Sequence, residues 1–137
     1  MPGRVFIDSN VLAYAQDAGS PAKQRASREV ISALAGSGDG VISTQVLQEF
    51  YVTATRKLGV PPLVAKGVLK TLAVFEIVQV SPMLIQEAVD CSILNQLSFW
   101  DSLILAAAAA AGCSTVYSDD LNPGQSILGV TVKNPLA

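Results

Sequence analysis

Five carboxylates in this chain are placed where they could share one chemical task. Asp8 closes the apolar run Val5-Phe6-Ile7 and is followed by Ser9 and Asn10. Glu49 lies behind the run Val41-Ile42-Ser43, Asp101 stands ahead of an alanine-rich stretch, and Asp119 and Asp120 follow Thr115-Val116-Tyr117. Histidine is absent, which excludes Ser-His-Asp and Cys-His nucleophilic chemistry and any histidine-ligated zinc site. Carboxylates, hydroxyls, amides, lysines or arginines must then carry any reaction. Desolvated carboxylates held close together repel and resist joint ionisation. A divalent cation relieves that conflict, and oxygen-only donors suit Mg²⁺ or Mn²⁺. Such a site can activate water and stabilise the leaving oxygen of a phosphodiester.

The elements that must position these groups can be read from the apolar pattern. Strands are expected at Val5 to Ile7, Val41 to Ser43, Phe75 to Val80 and Thr115 to Tyr117, with a possible fifth at Gly129 to Val132. Between them the pattern predicts helices from Asn10 to Ala18, to Ala35 after Ser20-Pro21, and from Gln45 to Leu58 behind a Thr44 cap. Further helices are expected from Leu63 to Ala73, from Met83 to Leu94 and from Phe99 to Ala111, with Gly36 to Gly40 as a loop. Ser98 and Asp101 have the spacing of a capping box, with aspartate in place of the usual glutamate or glutamine. Leu103-Ile104-Leu105 and the six alanines behind them make that helix apolar all round, so it should be buried. Short strands alternating with helices predict a single domain over residues 1–137. Its fold class is α/β, a three-layer α/β/α sandwich on a mostly parallel sheet of four to five strands.

This topology gives the carboxylates a common address. Right-handed crossovers carry strands two and three to one side of strand one, and a return to the other side puts strand four beside it. Asp8, Glu49, Asp101, Asp119 and Asp120 then all fall on the edge formed by the strands' carboxyl ends, with the switch point between Asp8 and the Asp119-Asp120 loop. Each also has a plainer reading: Asp8 as a helix cap, Glu49 as an exposed helical residue, Asp101 as a capping-box member, and the aspartate pair as turn residues. Their convergence argues for a site, since the chain has only 11 acidic residues.

Composition sets the outer limits. Hydrophobic residues make up 50% of the 137 and mean hydropathy is +0.44, yet no apolar run approaches the ~20 residues needed to cross a bilayer. No membrane association is therefore expected, and the apolar surplus should feed a core and a subunit interface. Cys91 and Cys113 have no metal-ligand spacing and read as reduced, buried thiols. With no signal-peptide pattern at the N-terminus, a cytoplasmic location is expected. Net charge is −2, so the chain as a whole is not a basic nucleic-acid binder. Its basic residues cluster locally, as Lys23, Arg25 and Arg28 and again as Arg56, Lys57, Lys66 and Lys70.

Four stretches resemble the motifs of PIN-domain nucleases. Phe6-Ile7-Asp8-Ser9-Asn10-Val11-Leu12 looks like the opening motif, Gln48-Glu49-Phe50 like the second, Phe99-Trp100-Asp101-Ser102-Leu103-Ile104-Leu105-Ala106-Ala107 like the third, and Tyr117-Ser118-Asp119-Asp120-Leu121 like the fourth. The resemblance spans essentially the whole chain, and the length is similar to that of VapC-type toxins. It implies a Mg²⁺- or Mn²⁺-dependent endoribonuclease acting on RNA, dimeric, and inhibited by a cognate antitoxin protein. By motif matching Asp8, Glu49, Asp101 and Asp120 would be the catalytic, metal-binding set, with Asp119 as a further candidate ligand and Asn10 and Ser118 in support. Asn10 would fix a carboxylate rotamer, and the two basic groups could guide the RNA backbone. One alternative is another carboxylate–Mg²⁺ α/β phosphohydrolase. A nucleophilic-aspartate phosphatase would want a second aspartate where Asn10 stands, and a receiver domain a lysine between Lys70 and Lys133, where there is none. The other is a non-catalytic PIN-fold interaction module, which would be expected to have broken acidic motifs.

Overall fold

The computed structural model describes residues 3–137. It contains six strands, β1 (Arg4–Ile7), β2 (Gly40–Ser43), β3 (Glu76–Val78), β4 (Cys113–Tyr117), β5 (Ser126–Ile127) and β6 (Val130–Lys133). The helices are α1 (Ser9–Tyr14), α2 (Pro21–Ser37), α3 (Thr44–Arg56), α4 (Pro62–Thr71), α5 (Pro82–Asn95) and α6 (Phe99–Ala110), with a 3-10 turn at Leu72–Val74. The strands form one sheet in the order β3-β2-β1-β4-β6-β5, parallel except for the antiparallel β5–β6 pair. Two neighbouring strands are buried on both faces: Val5, Phe6 and Ile7 in β1 and every residue of β2. A strand buried on both sides needs helices above and below, and this is the three-layer sandwich expected from the sequence. Helix α6 packs on α5 and along β4 and β2, whereas α3 joins α1 and α4.

Local chemistry explains the element boundaries. Helix α2 runs through Gly36 and Ser37, expected as loop, and stops where Gly38 takes the left-handed conformation at φ 76°. Ser43, not Thr44, caps α3, its Oγ accepting from the Val46 N–H at 3.3 Å. Thr44 Oγ1 instead accepts from the Val80 N–H at 3.2 Å, tying the start of α3 to the segment after β3. Helix α1 ends at Tyr14, short of Ala18, and β3 is trimmed to three residues. The two-residue β5 carries no apolar alternation that sequence reading could detect. Gly40 is required by packing, since a Cβ there would lie 2.5 Å from the Phe75 ring.

Register aligns the strand ends at the site. Ile7 pairs with Tyr117 in the β1–β4 ladder, so Asp8 and Ser118 emerge side by side, and the Asp8 N–H donates to the Tyr117 carbonyl at 2.9 Å. Among the described residues no single helix is long and apolar enough to cross a membrane.

Candidate active site

Asp8 leaves β1 buried, only 6% exposed, and is held from three directions. Its Oδ1 accepts from the Ser9 N–H at 2.7 Å, which makes it the N-cap of α1. Its Oδ2 accepts from Ser118 Oγ at 2.9 Å and from Asn10 Nδ2 at 3.0 Å. Capping and a site role are thus compatible, because the carboxylate caps the helix and still lines a cavity. Burial pushes the Asp8 carboxyl up to about 6 against the pull of its hydrogen bonds to Ser118 and Ser9; the nearby charges of Glu49 and Asp120 push the same way.

The cavity beside it has a volume of about 530 Å³, and Asp8, Glu49, Asp101 and Asp120 all line it. Four elements bring them there: the end of β1, the second turn of α3, the first turn of α6 and the loop after β4. Glu49 is fixed by Ser9 Oγ, donating to Oε1 at 3.1 Å, and by Gln45 Nε2, donating to Oε2 at 3.3 Å. Asp101 sits where Ser98 Oγ accepts its backbone N–H at 3.0 Å, capping α6 and leaving the carboxylate to line the cavity near the positive end of the helix dipole.

The adjacent aspartates separate cleanly. Asp120 faces the cavity and accepts from Asn10 Nδ2 at 3.2 Å. Asp119 turns away from it, paired with Lys23 Nζ at 3.1 Å and accepting from Asn134 Nδ2 at 2.9 Å. Burial alone would raise the Asp119 carboxyl, but the hydrogen bonds from Asn134 and Lys23 outweigh it and hold the group below the usual carboxylate range. Asp119, a further candidate ligand by sequence, thus spends its carboxylate on an ion pair outside the cavity lining. Asn10 is the hub of the cluster. Its Nδ2 reaches Asp8, Ser118 and Asp120 while its Oδ1 accepts from the Asp119 N–H at 2.8 Å, which fixes which way the amide points. Ser118 does similar duty, donating to Asp8 and accepting from the N–H groups of Asp120 and Leu121, both at 3.1 Å.

Two positioning residues escaped the sequence reading. Ser9 was visible only as part of the first motif. Gln45 is 4% exposed and ties Glu49 to the Trp100 carbonyl, to which its Nε2 donates at 3.2 Å. A glutamine one turn ahead of an acidic residue was the available signal. The basic groups are partly committed to structure. Lys23 pairs with Asp119 over the Tyr14 ring, and Arg28 Nε donates to the Ala15 carbonyl at 2.9 Å. Lys57 lines a neighbouring cavity of about 220 Å³ that shares Ser9, Thr53 and Asp120 with the first. Burial pushes the Cys113 thiol up to about 11, so it stays protonated.

The donor set fits a hard divalent cation. Every side-chain donor is oxygen, Asp8 is a carboxylate that burial makes costly to ionise, and among the described residues no cationic side chain pairs with it, Glu49, Asp101 or Asp120. Among the described residues no three carboxylates close into a ready-made cage. Mg²⁺ does not need one, since it keeps several waters and takes one or two carboxylates directly.

A family model for the PIN domain matches residues 5–122. The chain belongs to the PIN domain family. Solved structures share this PIN fold. VapC20 of Mycobacterium tuberculosis, a toxin that cleaves the sarcin–ricin loop, superposes with TM-score 0.64 at 21% identity over 85% of this chain and 89% of that one. A toxin–antitoxin complex from Klebsiella pneumoniae gives 0.69 at 20% identity over 96% and 97%. DNA-bound VapBC from Salmonella typhimurium gives 0.69 at 16% identity over 97% and 98%. No protein of curated function matches the sequence.

Proposed function

We propose that this PIN domain is a Mg²⁺- or Mn²⁺-dependent endoribonuclease that hydrolyses RNA phosphodiester bonds, acting as the toxin of a VapBC-type toxin–antitoxin pair. One observation carries the reading: Asp8, Glu49, Asp101 and Asp120, from four separate elements, line a single cavity. Asp8 and Asp101 would hold the ion directly or through water, and Glu49 and Asp120 would complete its surroundings. When bound, such an ion supplies charge stabilisation for the attacking and leaving oxygens and lowers the pKa of a coordinated water.

The chain's own residues do the positioning. Ser118 and Asn10 lock the Asp8 rotamer, Ser9 and Gln45 lock Glu49, and the Ser98 cap holds the turn that carries Asp101. Donors held in place before substrate arrives avoid reorganisation during the reaction. The antitoxin partner is supported by the fold shared with toxin–antitoxin complexes. A cytoplasmic homodimer is the accompanying proposal, supported by exposed apolar side chains such as Leu63, Met83, Ile93 and Leu94.

The test is cleavage of a panel of structured RNAs with and without Mn²⁺. Wild type should cut only with the metal, and Asp8→Asn and Asp101→Asn should each lose at least about a hundredfold in rate while keeping the wild-type circular dichroism spectrum. Full cleavage by both variants would sink the proposed site.

A further inference from the structure

The carboxylate cavity has an apolar part that hydrolysis of a phosphodiester does not require. Val52, Trp100 and Ile104 line it together with the acidic residues. Trp100 is 62% exposed, although it stands next to Asp101 at the start of a buried helix. A large aromatic ring left in water along a cavity gains free energy when a flat partner covers it. The ring is also held ready. Phe99, packed against the core, meets it edge to face at 5.1 Å and 76°, and the buried Gln45 amide anchors the Trp100 carbonyl. Gln45 Nε2 also donates to Glu49, so one side chain sets both the carboxylate and the aromatic residue.

We propose that the Trp100 indole is the stacking platform for a nucleobase next to the phosphodiester presented to Asp8, Glu49, Asp101 and Asp120. This rests on the nuclease reading and adds a base subsite to it. The continuity of the apolar wall with the carboxylate cavity argues for a nucleobase as occupant. Val52, Trp100 and Ile104 line the same cavity as the four carboxylates, so a nucleotide seated there meets both. Stacking on an aromatic face tolerates any base, so Trp100 contributes affinity and placement more than sequence choice.

The chain contains one tryptophan, so its emission reports on this ring alone. Asp101→Asn protein, which on the nuclease reading leaves RNA whole, is titrated with a short mixed-sequence oligoribonucleotide and with an abasic ribose-phosphate oligomer of equal length. The base-bearing oligomer should quench the emission saturably and the abasic one should not. In cleavage assays on the otherwise wild-type protein, Trp100→Ala should raise KM roughly ten- to a hundredfold with kcat much less affected, and Trp100→Phe should recover most of the loss. Equal quenching by the abasic oligomer, or an unchanged KM in Trp100→Ala, would overturn the proposal. So would emission that shifts on dilution of the protein alone, which would put the ring in an interface between copies. The emission titration decides the base subsite, and metal-dependent cleavage by wild type separately decides the reading beneath it.

Discussion

Asp8 concentrates the electrostatic conflict of the molecule in one side chain. Burial raises its carboxyl to about 6 in the folded state, from an ordinary value of 3.8. Between those values the native chain binds more protons than the unfolded one, so stability without metal must fall as pH rises through the window. The loss integrates to about 3 kcal/mol and levels off above pH 6. Urea unfolding in EDTA at a series of pH values should show this decline in wild type and a much flatter profile in Asp8→Asn. Parallel profiles would contradict the assignment. Asp119 does not blur the measurement. Its lowered value places its contribution above the ordinary carboxylate pKa, to be lost only at more acidic pH. Asn10 offers a second residue-level test. Replacing it with alanine removes the amide shared by Asp8 and Asp120, which should cost about 1–3 kcal/mol and lower kcat more than it raises KM.

Helix α6 shows how an element serves the site by being nearly featureless. Ser102 to Ala108 are all buried, and the alanines let the helix lie close against β4 and β2. That close seat delivers Asp101 to the cavity. Ala107→Leu would push extra volume into a filled layer and should destabilise by about 1–3 kcal/mol, read as a lowered urea midpoint with unchanged slope. Ser98→Ala removes the cap and should cost about 1 kcal/mol, with a loss of activity larger than that loss of stability explains. If activity simply followed the folded fraction, the cap would have no part in placing Asp101.

At the scale of the whole molecule, the parallel sheet gathers four carboxylates at one edge, and the only ion pairs among the described residues, Arg4–Glu76 and Lys23–Asp119, leave them uncompensated. A ligand that neutralises them stabilises the fold by mass action. Mn²⁺ at a hundred times its dissociation constant should add about 2.7 kcal/mol to wild type, a rise of several degrees in Tm, and distinctly less to Asp101→Asn. Equal shifts in the two proteins would place the metal elsewhere.

The sequence by itself determined the layer architecture, the strand order around β1 and the sheet edge on which the carboxylates meet. Those features follow from apolar periodicity and from the handedness of crossovers, both local or nearly local properties. It also marked Asp8, Glu49 and Asp101 by their distance from the ends of apolar runs, and Ser118 through the motif resemblance. Tertiary structure alone showed that Asp120 lines the cavity and Asp119 does not, because Asp119 is held by Lys23 and Asn134, which are remote in sequence and close in space. It alone revealed Gln45 as the link between Glu49 and Trp100, since that hydrogen bond joins residues 55 positions apart. Strand length and cap identity at Ser43 and Thr44 were likewise settled by long-range contact, where Val80 claims the hydroxyl that propensity would have spent on the helix. Local pattern places a residue at an edge, and only packing from several elements decides which way its side chain faces.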